Sequence, residues 1–305
     1  MRFGEVTIHP VNGHGPEDVV VDGDGRIYTG VDDGRILRLS PDGRRIDVLA
    51  DTGGRPLGLE LYGEDELLIC DARAGLLVVP LSGGTPSVLA TSALGLDFVF
   101  CNNAAVASDG TVYFTDSSRR FGIDNWRDDL IEQTAGGRLL RRSPDGSIDQ
   151  LLDGLQFANG VALAPDESFV AVAETGACRV SRVSLSDGRA DVLVDGLWGF
   201  PDNISTGTDG LIWITQASPK VAALDVVRRL PAFVRAGVRR LPTSLQPSPG
   251  REVGVLGVAA DGEVVRELRG EIDGFHMLVG VREWQGQLYF GSLEENAIAV
   301  TAAAG

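Results

Sequence analysis

The chain is built from six copies of one pattern of roughly 40 residues. Each copy has an apolar stretch, a turn rich in Asp and Gly, a second stretch with aromatic residues, and a third stretch that ends in another turn. The first copy, EDVVVDGDGRIYTGVDDGRILRLSPDG, is representative. The copies start at Glu17, Gly58, Asn102, Asn159, Asp202 and Leu278. Short runs of Val, Leu and Ile between such turns are typical of β-strands, so the pattern predicts about four strands per copy.

Repeats of this length and content predict an all-β fold, a six-bladed β-propeller, in which small sheets are arranged radially around an axis. The sixth copy ends after its third strand, whereas RFGEVTIH near the start of the chain is a single strand without a blade of its own. We expect residues 2–8 to supply the outer strand of the sixth blade and so close the ring. Residues 1–305 are then predicted to form one propeller domain.

The net charge of −16, from 27 basic and 43 acidic side chains, limits which molecules the protein can bind. Such a field repels nucleic acids and anionic membranes and attracts cations. We therefore expect no nucleic-acid partner and no stable membrane association. Cys70, Cys101 and Cys178 have no CxxC spacing, which indicates buried thiols in a reducing compartment. Without an apolar leader or a stretch long enough to span a membrane, the sequence predicts a cytoplasmic protein.

One position of the repeat carries an oxygen-bearing side chain in four of the six copies. Counting back eight residues from the turn residue before the second strand gives Glu17, Asn102, Asn159 and Asp202, and in the other two copies Gly58 and Leu278. This position lies at the start of the first strand of a blade, which is the innermost strand and lines the central channel. The four polar side chains should therefore converge on the propeller axis.

Two carboxylates and two carboxamides directed at one interior point need a partner, because an unpaired buried charge loses several kcal/mol of hydration. A divalent cation would satisfy all four side chains. Oxygen donors without cysteine or an obligatory histidine favour Ca²⁺, with Mg²⁺ and Mn²⁺ as alternatives. Loop capping by polar residues explains each side chain alone but not their common position. The predicted metal ligands are Glu17, Asn102, Asn159 and Asp202.

Longer motifs around these residues resemble a known group of proteins. The stretches GPEDVVVD, CNNAAVASDGTVYFTDSS, LQFANGVALAPDESFVAVAET and GFPDNI contain the four residues, and GQLYFGS follows at 286–292. Together they are similar to the calcium-dependent six-bladed propellers of the gluconolactonase and regucalcin (senescence marker protein) superfamily, and within it to the strictosidine-synthase-like branch. The resemblance implies that these four residues hold a catalytic calcium, as their counterparts do in the lactonases and paraoxonases, and that the chain hydrolyses lactones or esters.

Two positions depart from the pattern of these relatives. Val279 stands where plant strictosidine synthase has its catalytic glutamate, so the group that would remove the amine proton in a Pictet–Spengler condensation is absent. Asn103 stands where many relatives have Asp, which removes a charge beside the metal. The first departure disfavours condensation, and the second lowers the expected affinity for the metal.

Hydrolysis in the channel requires a base near the water that attacks. Asp202 and Glu17 are candidates because each could coordinate the ion through one oxygen and use the other on water or substrate. His276 lies two residues before the repeat position in the sixth copy, which makes it a third candidate. The predicted catalytic residues are Asp202, His276 and Glu17.

Side chains beside the predicted ligands are candidates for substrate binding. Asn103 and Asn203 directly follow ligands, so they could contact a substrate oxygen or orient the ligands, with turn formation as the alternative. His14 lies on the loop that enters the channel, and an ordinary loop histidine is its alternative. Apolar walls of the channel are predicted from Phe157, Trp198 and Phe200, for which core packing is the alternative.

Two insertions interrupt the repeat, at 117–137 in the third blade and 218–250 in the fifth. In the second, apolar residues recur at helical spacing before and after Pro231, which predicts two short amphipathic helices that meet at the proline. From Lys220 to Arg251 there are seven basic residues and one acid, which reverses the charge of the chain. We favour a lid over the channel mouth, as in strictosidine-synthase-like relatives, over a segment that lies on a membrane.

The leading hypothesis is a calcium-dependent hydrolase in which the cation polarises a carbonyl group in the central channel. The predicted substrate is a small molecule, a hydrophobic lactone or ester, because the lid would make the pocket more apolar than a sugar lactone needs. Two alternatives stay open. One is a metal-independent condensation or isomerisation in the same channel, and the other is a non-catalytic binding propeller in which the ion ties the blades together.

Overall fold

The computed structural model describes residues 1–242, 246 and 248–303. Six four-stranded antiparallel sheets form its blades, which confirms the predicted β-propeller. The innermost strand of each blade contacts the innermost strands of the two neighbouring blades, and the sixth contacts the first, so the sheets form a closed ring. The predicted insertion at 218–250 includes residues 243–245 and 247, which lie outside the described residues.

The strands are numbered in chain order. The first blade comprises β2 (Val19–Val21), β3 (Ile27–Gly30), β4 (Arg35–Leu39) and β5 (Ile46–Asp51). The second comprises β6 (Pro56–Tyr62), β7 (Glu66–Asp71), β8 (Gly75–Pro80) and β9 (Ser87–Ala90), followed by a small hairpin of β10 (Ser92–Ala93) and β11 (Leu96–Asp97). The third comprises β12 (Cys101–Val106), β13 (Val112–Asp116), β14 (Gly137–Arg142) and β15 (Ile148–Leu155). The fourth comprises β16 (Ala158–Leu163), β17 (Phe169–Glu174), β18 (Arg179–Ser184) and β19 (Ala190–Val194).

The fifth blade comprises β20 (Gly199–Thr206), β21 (Ile212–Pro219), β22 (Val253–Val258) and β23 (Val264–Gly270). The sixth comprises β24 (Leu278–Trp284), β25 (Gln287–Ser292), β26 (Ala297–Ala302) and the outer strand β1 (Thr7–Pro10). The three cysteines are free and buried between the blades, as predicted.

The strand β1 closes the ring, as the sequence predicts, although it spans fewer of the expected residues. It pairs antiparallel with β26, from Thr7 opposite Val300 to Pro10 opposite Ala297. The residues before it do not join the ladder, because Phe3 and Val6 pack against the apolar core around the fifth and sixth blades. The strand is therefore Thr7–Pro10 rather than residues 2–8.

The innermost strands of the third, fourth and fifth blades carry a β-bulge at the repeat position. In β12, residues 102 and 103 together oppose one residue of β13, and residues 159–160 of β16 and 202–203 of β20 are arranged in the same way. A bulge interrupts the simple alternation of side chains and re-aims one of them. It thereby turns the first residue of each pair toward the propeller axis, where a regular strand would not hold it.

The residue that follows the cavity-facing residue, or its equivalent, differs between odd and even blades. In the second, fourth and sixth blades it is Gly58, Gly160 or Gly280, and a Cβ atom there would lie 2.2–2.6 Å from the backbone of the next blade. In the odd blades the position holds Asp18, Asn103 or Asn203. The side chains of Asp18 and Asn103 accept a backbone N–H from the following even blade at 3.0 and 2.9 Å. Contacts between neighbouring blades therefore alternate around the ring.

The two insertions contain three short helices that pack together over one end of the channel. The helix α1 (Trp126–Glu132) lies in the third blade, and α2 (Ala222–Arg228) and α3 (Ala232–Val238) lie in the fifth, separated at Pro231 as predicted. Arg239 ion-pairs with Asp128 and Glu132 at 3.3 and 2.8 Å and so joins the two insertions. We refer to α1, α2 and α3 as the lid. Within the described ranges, no helix has the length and apolarity needed to cross a membrane.

Candidate metal site and substrate cavity

A cavity lies on the propeller axis beneath the lid. Each of the six innermost segments contributes one side chain to its lining, and these side chains are Glu17, Leu57, Asn102, Asn159, Asp202 and Val279. The structure thus brings all four predicted ligands to one place. Glu17, Asn102 and Asn159 are almost fully buried, whereas Asp202 retains partial exposure to the cavity.

The repeat position is shifted by one residue in two blades. The sequence count gives Gly58 and Leu278, but the residues that line the cavity are Leu57 and Val279. A fixed count assumes the same reference point in every turn, but Gly286 lies in a short turn before Gln287, whereas Glu66 already belongs to the second strand and pairs with Tyr62. Both residues are apolar, so the ring has oxygen donors in the first, third, fourth and fifth blades and aliphatic side chains in the second and sixth.

The amide groups of the two asparagines present their oxygens to the cavity. Asn102 donates through Nδ2 to Ser117 Oγ at 2.9 Å, and Asn159 donates through Nδ2 to Thr175 Oγ1 at 3.1 Å. Ser117 and Thr175 directly follow the second strands of their blades, so they occupy equivalent positions. The Oδ1 atoms of Asn102 and Asn159 are buried and have no hydrogen-bond partner. Such atoms are costly unless a donor or a cation satisfies them.

The orientation of the Asn159 amide follows from proton counting. The Thr175 hydroxyl has a single proton, and it donates this proton to the backbone oxygen of Pro201 at 2.7 Å. Toward Asn159 the hydroxyl can then act only as an acceptor, which requires the NH₂ group of the amide to face it. The Asn159 oxygen is therefore fixed on the cavity side.

The two carboxyl groups at the floor of the cavity are costly to ionise. Burial raises the pKa of Glu17 well above its usual range, and the carboxyl groups of Asp202 and Asp18 raise it further. Burial also raises the pKa of Asp202 to about 7, against the opposing effect of the Asn159 amide. A cation among these oxygens would favour both ionised forms. The raised pKa values and the unpaired amide oxygens therefore both favour a cation at this point of the channel.

Asn103 and Asn203 lie beside the cavity rather than in its lining. Asn203 donates through Nδ2 to Glu17 Oε2 at 3.1 Å, which holds that carboxylate from behind. Asn103 accepts from the backbone N–H of Val161 and donates to Asp18 Oδ2 at 3.3 Å, so it links blades. Of the two predicted roles, orientation of a neighbouring group fits both residues, and contact with substrate fits neither.

The structure does not bring His14, Trp198 or His276 into the cavity lining. His14 is half-exposed and lies 3.1 Å from Asp32. Trp198 is covered by the guanidinium group of Arg269, 3.9 Å from the ring centroid. Neither residue lines the cavity, so a role of either in substrate contact stays a prediction.

His276 is held at the rim by two carboxylates. Its Nδ1 contacts Glu295, and its Nε2 lies 3.1 Å from Glu294. With both ring nitrogens engaged outside the lining, the histidine is poorly placed to act on water at the floor. Its neighbour Met277 lines the cavity instead.

The walls of the cavity are apolar. Phe157 and Phe200 line it, as expected for channel walls, together with Phe100. The lid adds side chains that the sequence interpretation missed, and these are Trp126, Leu130, Ile131, Val221 and Leu224. Arg127, stacked 5.1 Å from the ring of Trp126, is the basic residue of the lining among the described residues. The cavity thus has a polar floor and apolar walls.

The donor set fits a hard cation. In the described part of the chain, no three His, Cys, Asp or Glu side chains cluster in a way that could hold a metal. Two carboxylates alone form a weak site, so the amide oxygens of Asn102 and Asn159 complete the set. Carboxylate and amide oxygens are ligands that Ca²⁺ accepts in irregular geometry.

Sequence comparisons identify relatives of the chain. The family described as Strictosidine synthase matches residues 102–187, and Strictosidine synthase-like, N-terminal, matches residues 6–39. The protein Strictosidine synthase-like 6 of Arabidopsis thaliana is 32% identical over 91% of this chain and 76% of its own length. The adipocyte plasma membrane-associated protein of Rattus norvegicus is 33% identical over 92% of this chain and 81% of its own length.

Two solved structures share the architecture at low sequence identity. A gluconolactonase of Xanthomonas campestris superposes with a TM-score of 0.71 at 17% identity, over 99% of this chain and 91% of that chain. The calcium-binding protein regucalcin of Agrobacterium tumefaciens gives 0.67 at 14% identity, over 99% and 94%. At these identities the likeness establishes the propeller fold.

A closed six-bladed propeller with an oxygen-lined axial cavity under a helical lid defines the class of protein. Its relatives identify the branch: the chain belongs to the strictosidine synthase-like family.

Proposed function

We propose that the chain is a calcium-dependent hydrolase of hydrophobic lactones or esters. The observation that carries the proposal is the pair of buried, unpartnered amide oxygens of Asn102 and Asn159 beside two carboxyl groups with raised pKa. Four oxygen donors at the floor of an apolar cavity suit a divalent ion and an apolar substrate. Two structural neighbours, a gluconolactonase and a calcium-binding regucalcin, support this assignment.

The residues of the floor would hold the ion through Glu17, Asn102, Asn159 and Asp202. When bound, Ca²⁺ supplies a Lewis acid that polarises a carbonyl oxygen and stabilises the negative charge that develops on it. Asn203 fixes one oxygen of Glu17, which leaves the other for the ion. Asp202 is the more exposed carboxyl group, so its second oxygen is the best candidate to accept a proton from the attacking water.

The walls would select the substrate. Phe100, Phe157 and Phe200 surround the floor with aromatic rings, and Trp126 and Leu130 close it from the lid. An alkyl or aryl group gains free energy by entering such a space, whereas a sugar would lose hydrogen bonds to water there. We therefore propose a substrate more apolar than gluconolactone.

A condensation of the strictosidine synthase type finds less support. Val279, at the position of the catalytic glutamate in that enzyme, lines the cavity and offers no proton acceptor. The residues that could accept a proton, Glu17 and Asp202, are the proposed ligands. We also propose that the chain acts in the cytoplasm on a small-molecule substrate.

The experiment is a hydrolysis assay with a series of aryl esters and lactones of increasing chain length. We expect activity that excess chelator abolishes and added Ca²⁺ restores. Asp202→Asn and Asn159→Ala should each remove it, because each loses a donor to the ion. Asp191→Asn, on an exposed carboxylate paired with Arg182, is the matched control and should retain activity.

Two outcomes would overturn the proposal. Turnover that survives both chelation and Asp202→Asn would exclude a metal-dependent mechanism. A chelator that lowers the melting temperature of a protein without hydrolytic activity would favour the non-catalytic propeller, in which the ion serves only stability.

A further inference from the structure

The lid helices α2 and α3 are apolar on the face that looks away from the protein as well as on the inner face. Inside, Leu224 is buried, and Val221 and Val227 pack against the core. Outside, Phe233 is 79% exposed and Val226 is 61% exposed. A surface helix normally directs polar side chains to solvent. We call the exposed side of α2 and α3 the outer face of the lid.

The apolar character of the outer face extends beyond these two side chains. Ala222 and Ala232, at the first positions of the two helices, are exposed, and Leu241 after α3 is 42% exposed. Asp225 is the acid within the two helices. An exposed apolar surface of this kind on a soluble fold marks a contact with another molecule or with lipid.

The charge around the outer face is opposite to that of the remaining chain. The segment from Lys220 to Arg251 has seven basic side chains and one acid, while the remaining residues have 20 basic and 42 acidic side chains. Beyond a Debye length of about 8–10 Å, salt screens the acidic body from a molecule at the lid. A partner at the outer face therefore meets a local positive field.

Several of these cations are available to a partner. Arg228 and Arg239 are engaged inside the lid, with the backbone oxygen of Leu130 and with acidic residues of α1. By contrast, exposed basic residues without an ion pair among the described residues surround the outer face, and these are Lys220, Arg229, Arg240 and Arg251. The outer face thus combines apolar side chains at its centre with free cations at its margin.

We propose that the outer face of the lid docks reversibly on an anionic phospholipid membrane. Apolar side chains with flanking Arg and Lys are the composition of helices that lie in a membrane interface. A second copy is disfavoured, because lid-to-lid contact would bring two positive surfaces together. Docking also brings the apolar cavity, which the inner side of the same helices lines, next to the phase in which an apolar molecule dissolves.

This proposal departs from the expectation of no stable membrane association, which rests on net charge. The total of −16 averages over the molecule, whereas docking depends on the charges within a Debye length of the surface. Binding of this kind is peripheral and salt-sensitive. It goes beyond the proposed hydrolysis and does not depend on it.

The test is co-sedimentation of the full chain with vesicles of phosphatidylcholine, with and without phosphatidylserine. We expect binding to the vesicles that contain phosphatidylserine and its loss at high salt. Phe233→Ser combined with Val226→Ser should reduce binding by roughly tenfold or more, since two apolar side chains no longer enter the interface. Arg229→Gln and Arg240→Gln should each reduce it roughly fivefold.

Matched controls lie on the outer strands of the blades. Val88 and Val48 are 61% and 57% exposed, so Val88→Ser with Val48→Ser removes similar apolar surface away from the lid and should leave binding unchanged. Arg44→Gln with Arg189→Gln removes two arginines whose side chains are each 87% exposed and serves the same purpose for charge.

The remaining outcomes each decide against the membrane. Absence of binding to either vesicle overturns the proposal, and so does binding that the lid variants do not reduce. Self-association without lipid that Phe233→Ser abolishes would assign the outer face to a second copy, and a complex with a purified acidic protein would assign it to a protein partner. Asp202→Asn should bind vesicles as the wild type does, so failure of the hydrolase proposal would not affect this result.

Discussion

At the scale of single residues, the floor of the cavity depends on side chains that orient the proposed ligands through hydrogen bonds. The Thr175 hydroxyl donates its proton to the backbone oxygen of Pro201 and accepts a hydrogen bond from Asn159, which fixes the orientation of the Asn159 amide. Asn203 holds Glu17 in a comparable way. None of these positioning residues need touch an ion, yet each decides which atom of its neighbour faces the cavity. Such outer contacts typically change metal affinity by about 10–100-fold.

Replacing Thr175 tests this dependence. Thr175→Val keeps the shape of the side chain but removes the hydroxyl, so the Asn159 amide can rotate and present its NH₂ group to the cavity. We expect Ca²⁺ affinity, measured by isothermal titration calorimetry, to fall by about tenfold or more.

The control is Thr175→Ser, which restores a hydroxyl and should restore most of the affinity. Equal Ca²⁺ affinity in Thr175→Val and in the wild type would show that the amide is fixed by other means. Thermal unfolding of each variant without Ca²⁺ separates this effect from a general loss of stability.

The sequence predicted the residues of the floor better than the residues that surround it. Glu17 and Asp202 share a position in the repeat, so a count along the chain finds them. Trp198 is one residue before a cavity-lining blade, but its ring turns outward under Arg269, and sequence spacing alone does not reveal the direction of a side chain. The role of Ser117 was also missed, although its position directly after a second strand matches that of Thr175.

At the scale of elements, the alternation of Gly with Asp or Asn at the bulges controls how neighbouring blades approach. A Cβ atom on Gly160 would lie 2.2 Å from the backbone nitrogen of Ile204 in the next blade. Backbone atoms cannot rotate away as a flexible side chain can. The even blades therefore require glycine for close packing rather than for an unusual backbone conformation.

The substitution Gly160→Ala tests this requirement. Because the added methyl group must displace a strand of the fifth blade, we expect the free energy of unfolding to fall by about 1–3 kcal/mol. Urea denaturation measures the change.

Gly237 in α3 provides the matched control, since a Cβ atom there meets nothing within 4 Å. Gly237→Ala should raise the stability of the helix by about 0.5–1 kcal/mol, because alanine loses less conformational freedom. An unchanged midpoint for Gly160→Ala would mean that the blades can separate without cost.

The helices show where sequence patterns suffice and where they do not. Apolar spacing on both sides of Pro231 predicted α2 and α3. The helix α1 gave no comparable signal, because it is a single seven-residue segment without the second apolar run beyond a proline that identified α2 and α3. Its stability comes from contacts with α2 and α3, which no local pattern encodes.

At the scale of the whole molecule, the ring is closed by β1, and His9 on this strand connects the last blade to the first. Its ring packs on Gly43 of the first blade, where an added Cβ atom would overlap it. Burial lowers the pKa of His9 from 6.5, with Asp42 acting in the opposite direction. The folded ring therefore prefers the neutral imidazole.

This preference has a defined pH dependence. The unfolded chain binds a proton at His9 more readily than the folded chain, so the stability is intact above about pH 6.5 and decreases as the pH falls from there through the lower pKa of the folded state. When the pH is lowered from above 6.5 to below it, the free energy of unfolding should fall less for His9→Gln than for the wild type. Urea unfolding at each pH measures the difference.

The control is Arg189→Gln, at an exposed side chain that stays charged across this pH range, and it should follow the wild type. If His9→Gln and the wild type lose stability in parallel, the closing contact does not depend on the charge of this histidine.

The closed ring was predictable from the sequence. The sixth repeat lacks one strand, and a single strand near the start of the chain has no blade of its own, so the two fit together in one way. The arrangement of the lid was not predictable, because Arg239 and its partners Asp128 and Glu132 are more than 100 positions apart. Such contacts depend on the assembled blades.

The alternation of bulge residues also limits how such a ring can be rebuilt. The fourth blade, with Gly160, fits only between neighbours that present Asp or Asn. If it were exchanged with an adjacent blade, two glycine blades would be neighbours at one junction. Two blades with larger side chains would be neighbours at another. Exchange with a blade two places away preserves every junction. In recombination or design, the unit that can be moved, duplicated or removed is therefore a pair of adjacent blades.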